Sequence, residues 1–195
     1  MDDYEFAEGP EPAQEFEVEL RRLVIINYEF ALKGIAQSED DSISPEDDQG
    51  FANLIRNEHD DWRVAARNLA LVGLVTRFHH WLIYLANLSR TEQMHSVGLI
   101  KELKFLHERF PEVTNELEFF EELVYVRDSI IHADSNADWV YVHERHVAPK
   151  YRRGDRVEFT EAHLTEAFQK AIDTIGWYEH YVTASRPSGL IFPKS

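Results

Sequence analysis

Apolar residues recur along this chain at helical spacing, three or four apart, from near the beginning to near the end. Between Gln14 and Gln37 they fall at Phe16, Leu20, Leu23, Val24, Tyr28 and Leu32, the stripe of an amphipathic helix. The segment from Ser38 to Gly50 breaks the pattern with acidic, Ser, Pro and Gly residues and reads as an exposed acidic loop. A long helical region follows from Phe51 to Leu88, with a candidate break near Asn57-Glu58-His59-Asp60. Its second part is apolar nearly all round, the mark of the most buried helix of a bundle. Ser89 or Thr91 is a candidate cap for the next helix, which stops at Phe110 before Pro111.

Thr114 is placed to cap another helix, with Glu116 and Glu118 in its first turns complementing the dipole. Leu117, Phe120, Val124 and Ile131 form its stripe, widened by Leu123 and Ile130. Arg127 falls on the same stripe, where a charge must find a partner or a wet cleft. Two short β-like runs, Val140-Tyr141-Val142 and Arg156-Val157-Glu158-Phe159, predict a small hairpin or irregular insertion around Gly154. Thr160 caps a last helix to about Ser185. The expectation is an all-α bundle of about five main helices: an acidic extension (1–13), one helical domain (14–185) containing the acidic loop 38–50, and a tail (186–195).

Composition narrows the chemistry. At 195 residues with 44% hydrophobic content the chain supports one sizeable core. It has no cysteine, so disulfides, thiolate nucleophiles and cysteine metal sites are excluded. The start, Met1-Asp2-Asp3-Tyr4-Glu5, is acidic where a signal peptide is basic and then apolar. The best apolar run, Leu69 to Val75, is too short to span a bilayer. A cytoplasmic protein with no membrane partner is expected.

The net charge of −16 opposes any nucleic-acid reading, because phosphate contacts need Lys and Arg. Its distribution softens that objection. From Trp139 to Val157, Arg145, Lys150, Arg152, Arg153 and Arg156 face only Glu144 and Asp155. This segment is +3, leaving −19 on the rest. A local basic patch binds polyanions even on an acidic protein; the same composition also describes an ordinary solvated loop.

The candidate chemistry lies just before that patch, in Arg127-Asp128-Ser129-Ile130-Ile131-His132. A permanent guanidinium and an imidazole titrating near neutrality stand at the end of a helix. Asp128 and His132 are four apart and nearly eclipsed, so the carboxylate can accept a hydrogen bond from the ring and raise its pKa. Arg127 and His132 are about 140° apart on an ideal helix. Either the helix end unwinds, or a working site draws copies from two chains. The bland alternative is an Arg in a salt bridge and a His on the helix dipole.

The hexapeptide resembles the R-x4-6-H motif of HEPN domains, in which a polar residue commonly follows the Arg. The helix leading in through Leu123-Val124-Tyr125-Val126 and the polar loop after His132 fit that resemblance. It covers the helical body from about residue 15 to 185, although only the hexapeptide is specific. What it implies is a HEPN-like bundle that forms a homodimer through the motif helix, with two copies of Arg127 and His132 in one cleft. It implies metal-independent endoribonuclease activity through 2′-hydroxyl attack, with no cofactor, as in toxins and phage-defence or stress-response effectors. An antitoxin or regulatory protein is the implied partner besides RNA. Other members are non-catalytic dimerisation or partner-binding modules, and the strong acidity favours that alternative. In the catalytic reading His132 moves the proton, Arg127 holds the phosphate and Asp128 orients His132. Ser129, Arg145, Lys150, Tyr151, Arg152 and Arg153 contact RNA, with Tyr151 stacking on a base. Members paired with nucleotidyltransferase antitoxins tend to carry Tyr two residues after the His; here that residue is Asp134, which argues against control by nucleotidylation.

Other constellations are weaker. Glu92-Gln93-Met94-His95 offers one E-x-x-H where a di-iron bundle needs two. His79-His80 are about 100° apart, a poor chelate, and read better as packing or hydrogen-bonded core residues. His143 and His146 lack the H-E-x-x-H context, and phosphate-loop and dinucleotide signatures are absent.

Overall fold

The computed structural model describes residues 12–44, 46–89, 98–113, 116–132 and 159–184. Within them lie α1 (Pro12–Leu20), a π turn (Arg21–Ile25), α2 (Ile26–Ser42), α3 (Gln49–Ser89), α4 (Leu99–Arg109), α5 (Leu117–His132) and α6 (Glu161–Ala184). Because α1, the π turn and α2 run on as one rod, the described residues form a five-rod, all-α bundle.

The second half of α3 is the axis. Leu71, Leu74, Val75, Phe78, Leu82, Leu85 and Ala86 are all buried, as the all-round apolar pattern predicts. Phe78 lies between two other elements: its ring stacks on Phe120 of α5 at 4.5 Å between centroids and meets Phe16 of α1 at 6.5 Å. Helix α6 approaches through Ala167 and Ala171, small residues that let two helix backbones come close. It is tied to α1 by the Ala13 N–H, which donates to Glu179 Oε2 at 2.8 Å. Thr160 caps α6 as its sequence predicts: the His163 N–H donates to Thr160 Oγ1 at 3.2 Å.

The π turn has a packing consequence. Val24 sits in it, buried, and lies against Gly73 of α3, where a Cβ would come within 3.2 Å of a Val24 methyl. A glycine there allows the two rods to touch at backbone range.

Three expectations change. The acidic loop is shorter than residues 38–50, because α2 runs to Ser42 and α3 starts at Gln49. The break near Asn57 to Asp60 is not there; α3 continues through 41 residues. The reason is His59, which is buried with both ring nitrogens satisfied. Its Nδ1–H donates to Ile55 O at 2.7 Å, which leaves Nε2 to accept from the Ser38 hydroxyl at 3.2 Å. Ile131, placed on the apolar stripe by spacing, is about half exposed, while Ser129 and Ile130 of the same turn face the core. The Thr91 and Thr114 caps, the strands of the expected hairpin up to Glu158 and the E-x-x-H at Glu92 to His95 lie outside the described residues.

Since Phe78 joins three helices, its removal leaves a cavity that none of them can close. Phe78→Ala is expected to cost about 3–5 kcal/mol, read as a lower denaturation midpoint with an unchanged slope. A loss below about 1 kcal/mol would mean that the stack contributes little.

Candidate functional site

Helix α5 reaches its functional end by way of the core. Phe120, Leu123, Val124, Tyr125 and Val126 are all buried, so the helix has little freedom to rotate. Two ion pairs flank it: Lys104 Nζ of α4 lies 3.1 Å from Glu121, and Lys170 Nζ of α6 lies 2.7 Å from Glu116. Lys170 also stands over the Phe119 ring at 5.0 Å. Such partly exposed pairs contribute little stability, yet they fix which way α5 faces.

Arg127 follows directly. Its side chain is three-quarters buried, and its Nε lies 2.7 Å from Asp128 Oδ1. The Nε–H is not aligned on that oxygen, so the contact is one of charge more than of hydrogen bonding. Consecutive helix positions diverge by about 100°. The contact therefore needs the Arg127 side chain to turn toward Asp128.

Asp128, expected to orient His132, thus has Arg127 as a partner. The helix continues through His132, so the four-residue register of Asp128 and His132 holds in the backbone; the His132 side chain lies outside the described residues. Ser129 departs from its expected place. It is buried, and on an ideal helix it stands about 160° from Arg127. Its hydroxyl is turned into the bundle, away from any phosphate that Arg127 could hold. Arg145, Lys150, Tyr151, Arg152 and Arg153 lie outside the described residues.

The structure adds partners that the motif did not include. His79, half-buried on α3, is held below its ordinary pKa by burial. Arg127 and His80 push it further down, and Glu102 acts against them. These groups therefore sit within electrostatic reach of one another where α3, α4 and α5 meet. Glu102 is fully buried in α4, on the face shared by Leu99, Leu103 and Leu106. A charge on an apolar stripe was the signal that singled out Arg127, and the same signal stands at Glu102. The site so described is a partly buried guanidinium beside a carboxylate, with an uncharged imidazole behind it. Such a site can hold and polarise a phosphate.

Comparison with family models finds no match for this sequence, and comparisons with curated proteins and with solved structures find none either.

The lowered pKa of His79 sets a sign for pH dependence. The unfolded chain binds the proton more readily, so stability is full above the ordinary value of 6.5 and falls as pH drops through the lowered folded value. Thermal unfolding followed from pH 7 to pH 5 should show a smaller loss of midpoint in His79→Gln than in the wild type. Equal losses would assign the acid sensitivity to another group.

Proposed function

We propose that this protein is a HEPN-type endoribonuclease that cleaves RNA without a metal ion, at a cleft shared by two copies of the chain. The observation that supports this reading most directly is the placement of Arg127. Its guanidinium is gripped at the core edge beside Asp128, on the helix end that also carries His132. An arginine held this way is preorganised for a phosphodiester, whose equatorial oxygens match its planar fork.

The step follows from these residue types. One His132 accepts the proton from the ribose 2′-hydroxyl, and the oxygen attacks the adjacent phosphorus. The bond from phosphorus to the 5′-oxygen breaks, and that oxygen takes a proton from the His132 of the second chain. The products are a 2′,3′-cyclic phosphate and a 5′-hydroxyl. Arg127 holds the charge that grows on the non-bridging oxygens. Asp128 steadies Arg127 and, through the four-residue register, His132. The basic segment from Arg145 to Arg153 guides the strand, and the biological setting would be a toxin or defence effector with a neutralising partner. The rival reading, a non-catalytic module that docks a basic partner, draws on the net charge of −16.

Purified protein should cut single-stranded RNA in EDTA. Replacing His132 with Ala should slow cutting about 10²–10⁴-fold, the range typical of a lost acid–base group. Arg127→Lys, which keeps the charge but loses the fork, should lose most activity while its circular dichroism stays unchanged. Cleavage undiminished in both variants would defeat the catalytic reading.

A further inference from the structure

The rod of the π turn and α2 forms an antiparallel pair with α3 as far as Gly73, its register fixed at three levels: Val24 on Gly73, the Ser38–His59 hydrogen bond, and the ion pair of Glu39 with Arg63. No residue of α2 is buried, and before Ala70 the only buried residues of α3 are Ala52 and His59. One side of the pair turns toward the start of α6, where Glu161 and Arg67 both act on Tyr28. The opposite side is open and carries an apolar stripe, interrupted on α3 by exposed Glu58. On α3, Leu54, Trp62 and Leu69 fall within about 80° of one another, centred about 180° from Arg67. On α2, Ile26 and Phe30 fall within about 40° of one another, with Phe30 about 160° from Tyr28, and Leu23 of the π turn is exposed one turn before Ile26. All six are between 40% and 78% exposed.

We infer that this face binds the same face of a second copy of the chain, the two helix pairs running antiparallel about a two-fold axis near Asp61 and Trp62. The first argument is area. At on the order of 100 Å² for each of the six side chains, two copies would bury about 1,200 Å², the lower end of specific interfaces. The patch also meets or exceeds the size that monomeric proteins usually leave uncovered, about 300–600 Å².

The second argument is charge, and it selects the occupant. The tip of the pair carries Glu39, Asp40, Asp41, Glu46, Asp47 and Asp48 with no basic residue between them. Its base carries Arg22 and Lys33, both exposed, while Arg21 and Arg77 are already paired with Glu17 and Glu19 and Arg67 faces away from the open side. A basic peptide matches the tip and is repelled by the base. An anionic lipid surface matches the base and is repelled by the tip. An antiparallel copy matches both at once. With the axis near Asp61 and Trp62, Leu54 of one copy lies over Leu69 of the other, and each acidic tip comes level with Arg22 and Lys33 of the other. The pairing is isologous, so it closes on itself.

This surface belongs to α2 and α3 and leaves α5 untouched, so it stands whether or not the protein cleaves RNA. If the ends of α5 also pair, each chain makes two self-contacts and the assembly has four chains.

Sedimentation of the full chain at micromolar concentration tests the inference, together with Phe30→Glu and Leu69→Glu combined. The wild type should self-associate. The variant should do so at least tenfold more weakly, with its helical circular dichroism retained. Because the chain has no cysteine, Asp61→Cys treated with a short bismaleimide should give a covalent dimer, whereas Glu166→Cys on the exposed side of α6 should not. A monomeric wild type overturns the inference, and one that instead sediments with anionic vesicles assigns the face to lipid. Assembly that is unchanged in the Phe30/Leu69 variant, with no cross-link at residue 61, overturns it equally.

Discussion

The packing of Phe78 between Phe16 and Phe120 is the contact on which the arrangement turns. It joins the first rod, the central helix and the motif helix at one point, and all three rings are buried. Aromatic side chains bury about 150–250 Å² each, so this cluster outweighs any of the flanking ion pairs. Together with the buried run from Leu123 to Val126 and the two flanking ion pairs, it sets the rotation of α5 about its own axis. That rotation decides whether Arg127 reaches the surface or is lost in the core.

Given that rotation, the site's electrostatics follow from competition. Glu102 is buried by the apolar face of α4, and an isolated buried charge is costly. Burial makes a proton on His79 unwelcome, the Arg127 guanidinium adds to that, and Glu102 opposes both. His79 is therefore best read as part of the setting of Arg127, held neutral behind it. It has no need of a catalytic role of its own. Asp128 supplies the restraint at the surface.

What the sequence made legible is what periodicity can encode. The long rods, the burial of the second half of α3, the Thr160 cap and the anomaly of Arg127 on an apolar stripe were all readable from spacing. The errors arose where one tertiary contact overrides local propensity. Asn57 to Asp60 looks like a break, until the Ser38 hydroxyl and the Ile55 carbonyl satisfy His59 and carry the helix through. Residues 38–42 look like loop, until Glu39 pairs with Arg63 across the helix pair. Ser129 was assigned to a phosphate by its place in the motif, but side-chain direction on α5 turns it inward. Glu102 carries the same signal in the sequence, an acidic residue on the apolar stripe of α4, but only the packing of the helices shows that it is fully buried.

Net charge is the strongest physical objection to RNA binding, and distance weakens it. The acidic tip stands at the start of α3, and His79, next to Arg127, lies thirty residues further along the same helix. At 1.5 Å per residue that is about 45 Å. The Debye length at physiological ionic strength is about 8 Å, so the tip's field has decayed through several screening lengths before it reaches Arg127. The charges that bear on a phosphate there are the near ones, Asp128 at the surface and Glu102 within, against Arg127 and whatever basic residues of 145–156 approach. A chain of −16 is thus compatible with a local anion site. At lower ionic strength the tip and the site would begin to interact, and the affinity of the site for any polyanion would rise less steeply on dilution of salt than counterion release alone requires.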